Sequence, residues 1–309
     1  GILLAAVGHP ATLAVSALVI GFGYGPMTPA SSVVLSRWAP PRRLGLVMSI
    51  KQTGVPMGYF ATGFLLPRIA AAHDWQTALF ALGGFAAVVA LALGPASRIL
   101  DERLPSVGGG FRSARLSLGL LKTYPRLRRI ALASLAFAGV QVTVTSFLVV
   151  FLEGDVGLEK ALAAWPLAVA GVAAIAGRIA WGWLADAVPT SRLLTVLPAT
   201  MALSLVGLML TASTWGYAPL TVLGLVLGLT VLAWNGVMLV ETARQAPPGQ
   251  VGLATSGVLA LTFLGSTIFP QALSAIVGGL GSYQLGFIGM IVVCGLVLLA
   301  YLPDAIRKL

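Results

Sequence analysis

The side chains of this sequence that could do chemistry are few, and most are cations and amides. Lys51 stands in an apolar stretch, eight residues past Arg43, which in a helix is on the order of 12 Å from the polar turn. Its ammonium could attract an anion there, and its flexible stem could equally snorkel back to the aqueous edge. Arg178 lies two turns before Asp186, and Glu241 one turn before Arg244, so these four could form a charge cluster that satisfies itself. Gln52 with Tyr59, Gln141 with Thr145, and Thr262 with Ser266 share helix faces, and Asn235 follows Trp234. The amides and the indole could hold a ligand or a neighbouring helix, whereas an isolated Ser or Thr in an apolar helix commonly bonds its own backbone. Enzyme chemistry finds little to work with. His9 and His73 fall at turns, no HExxH, G-x-S-x-G or phosphate loop is present, and no apolar stretch holds a pair of carboxylates. Cys294 is alone in an apolar run, so no disulfide or thiolate metal site can be built on it. The expectation is no enzyme, no metal and no cofactor.

The elements that carry these groups follow from composition. Of 309 residues, 58% are hydrophobic and 9% charged, against roughly a quarter charged in soluble domains. That excludes a soluble enzyme, a secreted disulfide scaffold and a disordered chain, and leaves an integral membrane protein. Apolar segments long enough to cross recur near 12–36, 45–68, 75–97, 129–151, 161–184, 193–213, 217–240, 251–277 and 283–303. Alternating the loops between two sides collects Arg37, Arg42, Arg43, the basic run from Arg98 to Arg129, Arg192, Arg244, Arg307 and Lys308 on one side, with Arg68 and Lys160 opposite. By the positive-inside rule that side is cytoplasmic and includes the C-terminus. The net charge of +10 is then an orientation signal, and nucleic acid is not expected as a partner.

Sliding the chain by 207 positions lays Arg37–Ser49 (RWAPPRRLGLVMS) on Arg244–Ser256 (RQAPPGQVGLATS), with seven of thirteen pairs identical. Each copy reads as a helix end, a Pro-Pro turn and a helix start, which points to tandem halves. The expected organisation is a partial N-terminal half over 1–97, a cytoplasmic linker with an interfacial helix over 98–128, and a six-helix C-terminal half over 129–309. The same offset makes Gly1 to Val7 the end of a further span and places about 80 residues ahead of it.

With this repeat and span count the sequence resembles the major facilitator superfamily over its whole length. That family's signature G-x-L-A-D-R-x-G-R-R follows the second helix of each half. Here Gly182, Trp183, Leu184, Ala185 and Asp186 match it, preceded by Arg178, and Ala187 to Ser191 then depart from it until Arg192. The Arg-x-Ala-Pro-Pro turn is similar to the family's loop between helices 4 and 5. Gly54 to Gly58 does not match the family's antiporter signature, and the Gly54/Gly58 spacing reads as a close helix contact. Trp234 to Val237 with Glu241 is similar to bacterial permeases of the cyanate and organic-anion type.

The resemblance implies an all-α polytopic fold of two parallel six-helix repeats, the present spans being helices 4 to 12 and the first repeat lacking about 2.5 helices. It implies a secondary carrier moving a small solute by alternating access, with Lys51 and the shortage of acids leaning toward a small organic anion. A non-transporting sensor or a channel of the same fold is the alternative, and an integral membrane enzyme the remotest. Family geometry makes Lys51, Gln52, Tyr59, Gln141, Thr145, Trp234 and Asn235 candidates for the cavity. It makes Arg178, Gly182, Asp186, Glu241 and Arg244 candidates for a cytoplasmic gate, with Asp186 against the helix start near Leu44 to Val47. Expected partners are a small-molecule substrate, the lipid bilayer and coupled protons if a titratable group lies in the path. The chain is expected to be monomeric in the plasma membrane, the inner membrane of a bacterium.

Overall fold

The computed structural model describes residues 8–101 and 111–306; the segment Gly1 to Val7, the middle of the 98–128 connection and Arg307 to Leu309 lie outside them. The described residues form twelve α-helices, one 3₁₀ turn and no strand. In order they are α1 (Pro10–Tyr24), α2 (Met27–Trp38), the 3₁₀ turn Pro41–Arg43, α3 (Leu44–Ala72), α4 (Trp75–Asp101), α5 (Phe111–Thr123), α6 (Pro125–Gly154), α7 (Lys160–Ala187), α8 (Thr190–Met209), α9 (Tyr217–Thr230), α10 (Asn235–Gln245), α11 (Val251–Leu280) and α12 (Tyr283–Ile306).

Among the described residues, eight crossings are long and apolar enough to span a membrane, α1 with α2 and α9 with α10 each counting as one broken crossing of 29 residues. The sequence reads a ninth at 45–68. That segment is the 29-residue α3, long enough to span, but Lys51, Gln52, Thr53 and Arg68 pull its hydropathy down. It is held instead by packing along α7. The protein is thus an all-α polytopic membrane protein. Val172, Leu203 and Leu296 are each at least 60% exposed, a pattern that water would penalise and lipid does not.

Two segments read as continuous are broken. The first break, at Gly25 and Pro26, has a local cause, since proline supplies no N–H and crowds the preceding turn. The second, from Val231 to Trp234, carries neither glycine nor proline and is held by side chains from other helices. The breaks fall 207 residues apart, as do the starts of α1 and α9, the ends of α2 and α10, and the starts of α3 and α11.

The core lies among α6 to α12, where Leu127, Phe137, Phe151, Leu197, Met201 and Phe287 are fully buried. The tightest pairs are α6 with α11, α7 with α9, α8 with α12 and α3 with α7. α5, the helix expected at the interface, packs on α11 and α6. At Gly257 of α11 an added Cβ would stand 2.7 Å from the Ser117 carbonyl oxygen, so the two backbones approach closely. The expected contact at Gly54 and Gly58 is not formed among the described residues: neither has a neighbour within 4 Å of a Cβ position there.

Candidate functional site

α3 starts badly on its own. Arg43 occupies the capping position and makes no side-chain cap, since a guanidinium offers no acceptor to the free N–H groups of a first turn. The acceptor arrives from α7. Asp186 Oδ1 takes the Gly45 N–H at 2.8 Å and Oδ2 takes the Leu46 N–H at 2.9 Å. A carboxylate against a helix N-terminus gains from both the hydrogen bonds and the local positive potential. Arg244, at the end of α10, pairs with Asp186 Oδ1 at 3.0 Å and donates to the Ala185 carbonyl at 2.8 Å and to Thr190 Oγ1 at 3.3 Å. One carboxylate therefore joins α3, α7 and α10. A cleft of about 340 Å³ opens beside it, lined by Arg42, Arg43, Leu46, Trp183, Asp186 and Ala187.

Glycines make that approach possible. A Cβ at Gly45 would stand 2.6 Å from the Gly182 carbonyl and 2.8 Å from Asp186 Oδ1. Ser49, one helical turn on, is fully buried and fills the space a Cβ would take at both Gly182 and Gly236. Ser49 was not among the residues the sequence singles out, although its identity with Ser256 in the repeat was a signal.

Deeper in, a second group of contacts surrounds the break between α9 and α10. Arg178 is 2% exposed. Its Nε donates to the Leu232 carbonyl at 3.1 Å, and its Nη1 donates to the Gln52 carbonyl. Lys51 Nζ donates to the Gln52 side-chain oxygen at 3.0 Å and to Thr28 Oγ1 at 3.1 Å. Gln52 thus holds two cations, one on its backbone oxygen and one on its amide oxygen. On the other side of the break, Gln141 Oε1 accepts from Trp234 Nε1 at 2.7 Å and from Asn235 Nδ2 at 3.2 Å. The Trp234 indole also meets the Phe137 ring edge to face, with centroids 5.6 Å apart.

The structure therefore sorts the sequence candidates into two places. Asp186, Gly182 and Arg244 meet at the helix ends; Lys51, Gln52, Arg178, Gln141, Trp234 and Asn235 meet around the break. Arg178 reaches main-chain carbonyls some two turns from Asp186, not Asp186 itself. Glu241 accepts from Gln245 Nε2 at 3.0 Å on its own helix. Thr145 Oγ1 donates to the Gln141 backbone carbonyl at 3.0 Å, and Thr262 and Ser266 likewise bond their own helix. The side chain of Tyr59 lies outside the described residues. Thr28, which sequence reasoning missed, stands 207 residues before Asn235, so each broken crossing places a polar side chain at the same register beyond its break. No cluster of three or more His, Cys, Asp or Glu occurs among the described residues.

Comparison with known proteins bears on the family of the fold. Over 172 residues, 56% of this chain, the sequence is 31% identical to monocarboxylate transporter 13 of Bos taurus, and the match spans 39% of that relative's length. The Major Facilitator Superfamily matches residues 1–244. The chain belongs to that superfamily and is an integral, multi-pass membrane protein.

Proposed function

We propose that this protein is a secondary carrier that moves a small organic anion, of the monocarboxylate kind, by alternating access. The observation that carries the reading is Gln52, which draws the ammonium of Lys51 to its side-chain oxygen and the guanidinium of Arg178 to its backbone carbonyl. Among the described residues the acids sit at or near helix ends or in turns, so the described middle of the bundle has cations and no acid at their depth. A cation kept in a membrane helix is costly unless it is paired or lines a watered path, and an anion arriving there supplies the counter-charge. The relative named a monocarboxylate transporter supports the same substrate class.

In this reading the 1–97 and 129–309 parts act as halves joined by the 98–128 linker and rock about the break region. The recurrence of helix boundaries at the repeat interval supports it. Asp186, seated on the α3 start and held by Arg244, closes the basic end in one state and is released in the other. The basic end is cytoplasmic, which puts the C-terminus inside, and the chain works as a monomer in the plasma membrane.

The test is uptake of labelled L-lactate and pyruvate by the full chain in proteoliposomes. Saturable uptake of either is expected, with Lys51→Gln lowering transport efficiency about tenfold, the cost of one charge-assisted hydrogen bond. Uptake that never saturates, or that survives Lys51→Gln unchanged, refutes the proposal. An imposed pH gradient in the same assay reads whether protons travel with the anion.

A further inference from the structure

We infer that Gln52 and Gln141 are orientation-locked donors, and that this lock is what selects a carboxylate over its neutral amide counterpart; the inference rests on the carrier reading above. A glutamine amide is ordinarily ambivalent, with an acceptor and a donor end that can exchange by a flip. Here the flip is blocked. Trp234 Nε1 has a hydrogen to give and no lone pair to offer, so the Gln141 atom 2.7 Å from it must be the oxygen. Asn235 Nδ2 donates to the same oxygen at 3.2 Å. Lys51 Nζ is likewise a pure donor, so the Gln52 atom at 3.0 Å must also be the oxygen.

The consequence falls on the other end of each amide. Neither Nε2 has a hydrogen-bond partner among the described residues, and neither is among the buried unpartnered atoms. Both NH₂ groups therefore keep some accessible surface and an unused donor. The two glutamines flank one element, because Arg178 ties the Gln52 backbone to Leu232 in the break while Gln141 holds Trp234 at its end and Asn235 at the α10 start. What the two glutamines and Lys51 offer an incoming solute is amide N–H and ammonium donors. A carboxylate, with acceptors only, satisfies them. An amide of the same shape turns one NH₂ toward a donor and leaves that donor unpaired, which is the strong form of discrimination by hydrogen bonding.

The test uses the full chain in proteoliposomes with L-lactate as substrate and lactamide as its neutral isostere. Lactamide is expected not to compete with lactate in the unaltered protein. Trp234→Phe removes the donor that fixes Gln141 and keeps the ring; lactamide should then become an inhibitor, a gain that a merely structural defect would not produce. Gln141→Glu keeps the acceptor for Trp234 and Asn235 but loses the free NH₂, and should raise the lactate KM about tenfold with kcat within about twofold. If Trp234→Phe still excludes lactamide, or Gln141→Glu lowers kcat and leaves KM alone, the lock is refuted while the carrier reading stands. If the unaltered protein shows no saturable lactate uptake, the substrate reading fails and this inference fails with it.

Discussion

The starts of α3 and α11 have nearly the same sequence and are satisfied in different ways. Both follow a Pro-Pro turn, both lack a side-chain cap of their own at Arg43 and Gln250, and both place a glycine second. At α3 the first turn receives the Asp186 carboxylate on two N–H groups. At α11 no acid approaches among the described residues; the nearest atom to a Cβ on Gly252 is Val33 Cγ2 at 2.9 Å. There a cavity of about 480 Å³ lies alongside, lined by Arg115, Leu116, Gly119, Leu120, Thr123, Tyr124, Gln250 and Leu253. The repeat therefore supplies a socket twice, and what fills it is decided by the other helices. A charge-filled socket can act as a latch, because releasing Asp186 gives up the helix start and Arg244 together in exchange for water.

The largest effect should come from closing the first socket sterically. Gly45→Ala would drive a methyl against the Gly182 carbonyl, a backbone atom that cannot rotate away, and we expect a loss of about 2–3 kcal/mol of stability. Gly252→Ala makes the contrasting case. Its neighbour is the end of a valine side chain, and alanine's better helix propensity offsets the crowding, so the net change should stay within about 0.5 kcal/mol. Thermal midpoints of the two purified variants decide it. Equal losses would show that the sockets do not differ in rigidity.

Removing the charge tests the latch itself. Asp186→Asn retains an acceptor for one N–H but loses the second oxygen and the pair with Arg244, which is worth about 1–2 kcal/mol for a pair that is mostly screened from water. The expected functional result is a bias toward the state open at the basic end. It would be read as faster thiol modification of a cysteine placed at Arg42. An unchanged rate would mean that the carboxylate caps α3 without controlling access.

Much of this arrangement was legible in the sequence, and the remainder was hidden for definite reasons. Span periodicity, the repeat and the match from Gly182 to Asp186 are written in residue order, and the family resemblance they carry implied the α3 start as the place to look for Asp186. The break at Val231 to Trp234 was not legible, because an apolar run without glycine or proline gives no local reason to stop a helix. Its cause is tertiary: Arg178 engages the Leu232 carbonyl, and Gln141 engages the two residues at the α10 start. Arg178 was grouped with Asp186 by its spacing along α7, and Glu241 with Arg244 along α10. Spacing along a helix says nothing of which neighbouring backbone carbonyl lies within reach. Gly54 and Gly58 failed for the same reason, since a small-residue pair needs a partner helix that sequence does not name.

The smallest expected effect concerns a helix start whose cap is local. α4 begins after Asp74, whose Oδ1 accepts the Thr77 N–H three residues on, an ordinary N-cap. At the repeat-equivalent start of α12 the acceptor is the Ser282 hydroxyl, 3.4 Å from the Leu285 N–H, and a hydroxyl does not titrate in the working range. The Thr77 backbone N–H holds the Asp74 carboxyl below the usual carboxylate range. A depressed folded-state value means that the ionised cap stabilises the fold above the ordinary carboxylate pKa, and that this contribution is lost as pH falls through the lowered value. Asp74→Asn removes the titration and keeps a capping residue. The thermal midpoints of the two proteins should therefore separate slightly at neutral pH and converge under acid, whereas Ser282→Ala should shift the midpoint by an amount that does not change with pH. A constant gap between wild type and Asp74→Asn across the acid range would show that the exposed cap contributes no charge effect.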